Sequence, residues 1–432
     1  MTTAEQAPAH PLQIGDYRRY WVARFLAVFS TIGMVVLLGY QVYDVARADY
    51  GMDRSTAAFQ LGLLGLAQFL PLMLLTPLAG IAADRLDRRR VVLGANLTDA
   101  LIATALAVLT WQDALNLPIL FSLAALHGAA RVFNGPALSA IAPNIVPARL
   151  LPRAIALGSI AWQVGTVTGP AIGGLLFEYS PSLPYFLSAG LLVASGALIS
   201  TIRPVRARHE GPQLHPIRQM IEGFAFVRRE RFLVGCITLD LFAVLLAGAT
   251  ALMPVYARDI LDVGADGLGL MRGAIAAGAA LMALVLSFRP LEDNVGVKML
   301  WAVVIFGAGT AVFAVSTNFL LSLGVLAILG AADMVSVFVR TSLVQLYTPD
   351  TMRGRVSSIS GLAISASNEL GELQSGIAAA ILGTVGAVIF GGVGAIVITG
   401  IWAVIFPELR RARTFAVKYD ENDNRIAGQE AA

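Results

Sequence analysis

The sequence predicts an all-α membrane protein of twelve transmembrane helices, arranged as two six-helix, pseudo-symmetric halves. Three observations carry this expectation. The chain has 432 residues, 57% hydrophobic and 14% charged, where an ordinary soluble domain carries roughly 25% charged residues. Its mean hydropathy is +0.72. Its apolar residues fall into runs of about twenty, the length that crosses a bilayer core at 1.5 Å per residue, and its basic residues gather in alternate loops.

The first sixteen residues are polar, with no apolar run behind a basic start. No cleaved signal peptide is expected there, and the first helix doubles as the targeting signal. That span covers 18–46 and, like the eleventh at 354–382, is long enough to tilt or project from the bilayer. The second, 57–80, stops before the charged run from Asp84 to Arg90, and the third, 91–110, starts directly after it. Spans at 118–142, 153–177 and 184–203 complete the first half. Residues 204–231 are the one long internal polar stretch, Pro204 to Pro212 followed by an amphipathic run to Arg231. They are expected to form a cytoplasmic linker lying against anionic headgroups. The second half continues with 232–257, 266–288, 298–315, 319–345, 354–382 and 386–406. Only Ser316, Thr317 and Asn318 split the ninth span from the tenth, and a polar tail occupies 407–432. The domain reading is therefore 1–203, linker 204–231, 232–406 and tail.

Basic residues set the orientation. With both termini in the cytoplasm, that side holds about 25 of the 31 Arg and Lys residues, counting Arg340 near the cytoplasmic end of the tenth span with Arg353 and Arg355. The other side holds Arg47, Arg54 and Arg258, while Arg24, Arg131 and Arg272 fall inside spans. This asymmetry meets the positive-inside rule and places the chain in a cell (inner or plasma) membrane. An offset of 202 residues aligns the halves without gaps: Gly128–Arg131 falls on Gly330–Asp333, Pro147 on Pro349, Arg153 on Arg355, Gly169 on Gly371 and Gly174 on Gly376. A two-half transporter built by duplication, with its substrate site near the midplane, is the physical reading.

Composition excludes several chemistries. A single cysteine, Cys236, allows no internal disulfide and no thiolate cluster. Neither Lys298 nor Lys418 follows a GxxxxG loop, so no P-loop ATPase is expected. The four histidines make no HExxH pair. No enzyme, no cofactor or metal, no ATP and no nucleic-acid partner are expected; the partners are a small-molecule substrate, protons and the bilayer, and the chain is expected to act as a monomer.

Several motifs point to mechanism. Between spans 2 and 3 stand Gly80, Asp84, Arg85, Asp87 and then Arg88–Arg90. A glycine lets helices approach closely, and an aspartate can accept hydrogen bonds from a neighbouring helix N-terminus, whose dipole favours negative charge. Arg88–Arg90 serve topology. The fourth span holds Arg131, Asn134 and Gly135; a charge so deep needs a partner or a water-filled cavity. With Asp333 at the equivalent position of the tenth span, the repeat suggests unlike charges on opposite cavity walls. The fifth span carries Gly165, Gly169, Pro170, Gly173 and Gly174, a stripe that permits close helix packing with a proline that permits a kink.

Among the remaining polar groups within spans, Glu369 and Glu372 share one helix face at i,i+3; two such close carboxylates in a poorly hydrated site favour holding a proton. Asp99 and Asp240 each lie about eight residues into their helices, within reach of a cytoplasmic cavity. Arg24 and Gln163 are candidate cavity groups, and His127, one turn from Arg131, is either a packing residue or a relay. Asp44 and Arg272 read as interfacial.

The Gly80–Arg90 loop resembles the signature of the major facilitator superfamily between helices 2 and 3, with Asp87 standing where a second glycine is usual. The resemblance implies the major facilitator fold, and that Asp84 and Arg85 latch the halves against the start of helix 11 near Gly354 and Arg355. Arg131 to Gly135 resembles the family's second motif, which implicates Arg131 in proton coupling; a buried salt bridge that only holds helices together is the alternative. The helix 5 stripe resembles the antiporter motif, with Ala156 in place of its first glycine, and favours export over uptake. Ala23-Arg24-Phe25, Pro152–Leu157, Gly354–Ser358 and Phe406–Arg411 make residues 15–412 similar to the transmembrane secretion effectors, a branch that includes enterobactin exporters and macrolide efflux proteins. The expected function is proton-coupled export of a small organic molecule such as a drug or siderophore, with uptake, or a non-transporting sensor or scaffold, as alternatives.

Overall fold

The computed structural model describes residues 10–204, 216–289 and 291–415. Among them there is no strand, and eleven helices are long and apolar enough to cross a membrane. The protein is a multi-pass membrane protein. In chain order the helices are α1 (Gly15–Ala48), α2 (Arg54–Arg85), α3 (Arg88–Trp111), α4 (Leu117–Ile145), α5 (Leu151–Tyr179), α6 (Leu183–Ser200) and α7 (Pro216–Arg229). They continue as α8 (Arg231–Leu246), α9 (Met253–Val255), α10 (Gly264–Phe288), α11 (Val295–Val315), α12 (Phe319–Leu346), α13 (Asp350–Ile405) and α14 (Pro407–Arg411).

The helix starts follow from side chains that satisfy first-turn amides. Asp87 accepts from the Arg89 amide at 3.1 Å, Asn116 from Ile119 at 3.0 Å and Asn318 from Leu321 at 3.0 Å, each an N-cap. Proline stands in the first turn of α4, α5 and α6, where its missing N–H has no intrahelical partner to lose. Asp87 takes its place with φ −62°, so no glycine is required there. The Arg89 guanidinium, 2.7 Å from its carboxylate, holds the Asp87 carboxyl below the usual carboxylate range.

Two expected spans differ in form. The seventh, 232–257, is not one helix: α8 ends at Leu246, and Gly248, a 3-10 turn (Ala249–Leu252), α9 and a π turn (Tyr256–Ile260) follow. Broken backbone at membrane depth is tolerated where protein or a water-filled cavity satisfies it. The eleventh and twelfth are joined end to end in α13, meeting at Gly383 with φ 72° and ψ 164°. That left-handed backbone suits glycine, and it accounts for eleven long helices where twelve spans are read.

The chain divides into two compact units, residues 1–41, 67–212 and 265–273 in the first and 42–66, 213–264 and 274–432 in the second. In the first, α3 packs on α4 and α6. A buried cluster of Tyr17, Tyr20, Val92, Ile141 and Ile199 lies at its core. In the second, α13 packs on α8 and α11, and α11 on α12, around Leu233, Met299, Leu343 and Val356.

Candidate functional site

The second unit buries a charged cluster. Asp240 projects from α8 and pairs with Arg340 of α12, both side chains at most 10% exposed. Asp333 lies two turns before Arg340 on the same helix, on the same face. Asp240 and Asp333 line one small cavity of about 20 Å³ together with Ala243, Val303, Phe306 and Ser336. That is room for one water molecule. Arg340 thus pairs with Asp240, while Asp333 makes no ion pair among the described residues, so the cluster holds two carboxylates for one guanidinium and a proton would offset the excess charge. Arg340 was absent from the sequence-derived site. It falls within 319–345, and the i+7 spacing from Asp333 was the signal that could have found it.

Glu369 and Glu372 lie in α13, Glu369 buried and Glu372 half-buried. A Cβ added at Gly65 of α2 would stand 2.8 Å from the Glu372 carboxylate and 3.2 Å from the Glu369 carbonyl. The same seam is as tight where Gly62 meets Gly376, whose added Cβ would lie 2.7 Å from the Gly62 Cα. The acidic pair is thus held in a glycine-lined seam between α2 and α13.

In the first unit, Asp99 and His127 form a fully buried pair, with Oδ1 and Nδ1 2.9 Å apart. Asp99 is therefore screened from water and engaged with α4. Asn134 donates to Asn96 at 2.8 Å and Asn96 to Ser195 at 2.9 Å, and Ser195 donates to the Ala23 carbonyl at 2.7 Å. This chain of hydrogen bonds ties α4, α3, α6 and α1 and engages Asn134 in helix packing. Arg131 is half-buried at about the middle of α4, near the bilayer centre if α4 spans it, and Gln163 is half-buried in α5. Arg24 donates to the Tyr20 hydroxyl at 2.9 Å.

The helix 5 glycines make close helix contacts. Gly165 faces Val28 and Phe29, and Gly169 faces the Phe29 carbonyl and Gly33 of α1; Gly173 meets only the Leu37 side chain. Gly174 abuts the Ala265 carbonyl at the start of α10, and the Pro170 carbonyl abuts Gly269. Backbone cannot yield as a flexible side chain can. Gly174→Ala is expected to cost about 1–3 kcal/mol by overpacking, read as a lower thermal unfolding midpoint, with Gly173→Ala milder.

At the loop between α2 and α3, Asp84 and Arg85 end α2, and their side chains lie outside the described residues. No described atom comes within 4 Å of a Cβ added at Gly80. Within the second unit, the Arg355 guanidinium lies 2.8 Å from Glu222 of α7, and a Cβ added at Gly223 would stand 3.0 Å from the Arg355 Cβ. The linker helix is docked on the start of α13.

Sequence reasoning also missed a cluster within the second unit. Asp259, 10% exposed, accepts from the Tyr43 hydroxyl at 2.7 Å. It also faces Arg47 at 3.2 Å and Arg54 at 3.4 Å. The Arg54 guanidinium donates to its carbonyl at 3.0 Å, and Arg258 pairs with Asp44 at 3.0 Å. All three arginines counted on the side opposite the termini are engaged here.

Residues 6–423 match the family described as transmembrane secretion effector. The enterobactin exporter EntS of Shigella boydii serotype 18 is 26% identical over 372 residues, covering 86% of this chain and 85% of that protein. EntS of Escherichia coli O1:K1 matches over the same shares at the same identity. Among solved structures, a peptide transporter POT variant in complex with sulfate superposes with TM-score 0.73 at 15% identity, covering 94% of this chain and all of that one. A bacterial homolog of the human lysosomal transporter Spinster gives 0.70 at 13%, covering 92% and 97%. The nucleoside transporter NupG gives 0.67 at 14%, covering 92% and 98%. These structures share the fold.

Proposed function

The chain belongs to the transmembrane secretion effector family of the major facilitator superfamily, and from that premise we propose that it exports a small organic molecule in exchange for protons. It is a membrane transporter with relatives named as exporters. Those names support outward transport and make a siderophore one candidate class of substrate.

The observation that carries proton coupling is the buried set of Asp240, Arg340 and Asp333, with two carboxylates for one guanidinium. A proton taken from one side removes the excess charge, and deprotonation towards the other restores it. Whichever conformer binds the protonated form more tightly gains population in proportion to that difference. Residues 1–203 and 232–406 are the moving halves in this reading, with Arg131, Asp99, Glu369 and Glu372 as further coupling groups and Asp84, Arg85 and Arg355 as the cytoplasmic gate. Both termini face the cytoplasm of a cell whose inner membrane holds the protein as a monomer.

The test is reconstitution in liposomes with an imposed pH gradient. Proton-driven movement of an amphipathic compound towards the acidic side is expected, and a gradient that drives nothing defeats the coupling. Movement in the opposite sense would instead support uptake. Arg131→Ala and Glu369→Gln are each expected to reduce pH-driven efflux at least tenfold without loss of membrane insertion. Efflux at the unmodified rate in both would remove these residues from the scheme.

A further inference from the structure

The linker helix α7 presents two unlike faces. One turns to the second unit: Glu222 pairs with Arg355, Gly223 packs directly on the Arg355 backbone, and Val227 is buried in one cluster with Phe232 and Val356. Successive helical residues advance by about 100°, so Ile221, Phe224, Ala225, Arg228 and Arg229 fall on the opposite arc. All of these are exposed, Ile221 by 63% and Phe224 by 59%. Two large apolar side chains with arginines one turn further on form the pattern of a helix that lies in a membrane interface.

This face lies where spans enter the bilayer. The next apolar span starts at Arg231, and α14 follows the span that ends at Ile405. Arg231 ties the two together: its guanidinium donates to the Ile405 carbonyl at 3.0 Å and lies 3.1 Å from Glu408. Both α7 and α14 pack on α8, so residues 221–231 and 406–413 meet at its start with six arginines against three glutamates. Two of those glutamates, Glu222 and Glu408, are engaged by Arg355 and Arg231. Arg228, Arg229, Arg410 and Arg411 are exposed and form no ion pair among the described residues. A soluble acidic partner would match these cations, but an apolar strip beside them at a bilayer boundary matches a phospholipid with a negative headgroup.

We propose that this surface of α7 and α14 binds anionic phospholipid headgroups of the cytoplasmic leaflet, and that lipid held there anchors the start of α13 through α7. Phosphate oxygens accept charge-assisted hydrogen bonds from the four exposed guanidinium groups, while Ile221 and Phe224 enter the boundary with the acyl chains. Each arginine near a negative leaflet adds to the hold. Because Gly223 packs on the Arg355 backbone and Glu222 pairs with its guanidinium, a held α7 restrains the first turns of α13. The inference goes beyond the export reading and does not depend on it.

The full chain in lipid nanodiscs tests both parts. A fluorophore is placed on Ala225→Cys, with the native Cys236 only 1% exposed, and is quenched by phosphatidylglycerol or phosphatidylcholine carrying the same nitroxide near the headgroup. Phosphatidylglycerol is expected to associate at least tenfold more strongly. Arg228→Gln/Arg229→Gln should bring the two lipids within threefold of each other, whereas Arg228→Lys/Arg229→Lys, which keeps the charge, should retain most of the preference. High salt should weaken it in the unmodified chain. Equal quenching by both lipids, quenching by neither, or an unchanged preference in the glutamine variant would overturn the surface; quenching by neither is the result a soluble partner predicts. Amide hydrogen exchange in the first turns of α13 is expected to slow at least threefold when phosphatidylglycerol replaces phosphatidylcholine. Glu222→Gln should remove that response and keep the lipid preference. Exchange that is identical in the two lipids would overturn the anchor.

Discussion

Arg340→Leu is expected to destabilise the protein by about 3–5 kcal/mol, the usual result of stripping one partner from a buried ion pair, and to abolish proton-driven efflux. Asp240 is buried beside it and shares its cavity with Asp333, so the deletion leaves two carboxylates with no cation. The double variant Asp240→Leu/Arg340→Leu should behave differently. Replacing both charges by apolar groups of similar size is commonly neutral or stabilising, so the thermal unfolding midpoint should return close to that of the wild type. Efflux should not return, because only Asp333 remains to exchange a proton and no cation moves against it. Asp333→Asn completes the series: with Asp240 and Arg340 left as a neutral pair, stability is kept and the response to a pH gradient is lost. Recovery of pH-driven efflux in the double variant would show that this cluster holds helices together and does no coupling.

How much of this was legible in the sequence depends on what kind of fact each residue encodes. The spans were legible because a run of apolar residues records its own length, and Gly383 appears as the seam between 354–382 and 386–406. The break in the seventh span was not. Gly248 and Pro254 mark it only in hindsight, since neither interrupts the apolar run that defines a span. Asp240 and Asp333 stood out as charges in apolar surroundings. Their partner did not, because counting basic residues towards a membrane face assigns each arginine by its distance from a helix end, and Arg340 lies about one and a half turns from the end of α12. The 202-residue repeat set Asp333 opposite Arg131 in register, yet register is correspondence between halves and says nothing of contact. The same limit explains His127, whose role beside Arg131 in sequence is displaced by Asp99, 28 residues away and 2.9 Å distant. Asp259 carried no motif at all; its three charged and hydroxyl donors come from α1 and α2, more than 200 residues earlier.

That cluster sets the second large expectation. Asp259→Ala is expected to open the seam between α2 and α13, detected as a faster maleimide reaction of a cysteine placed at Ala58. Ala58 is fully buried, and its carbonyl lies 3.3 Å from where a Cβ would stand on Gly376. The single native cysteine, Cys236, is 1% exposed, which keeps background labelling low. Asp259 joins the end of α1 and the start of α2 to the π turn through Tyr43, Arg47 and Arg54. A hydroxyl hydrogen bond to a carboxylate contributes about 1.5–3 kcal/mol and each partly exposed ion pair at most about 1 kcal/mol. Removing the carboxylate should therefore shift the conformer ratio by about 2–3 kcal/mol, roughly 30- to 150-fold, provided these contacts exist in one conformer alone. Asp259→Asn keeps an acceptor for Tyr43 and loses the charge, so it should accelerate labelling by less. The sign follows from which contacts are cut: if the cluster only stiffens a loop, labelling at position 58 stays at the unmodified rate in both variants while the unfolding midpoint still falls. Acceleration graded from Asn to Ala is the signature of a conformational tie, because each variant then removes a defined share of the free energy that holds α2 against α13.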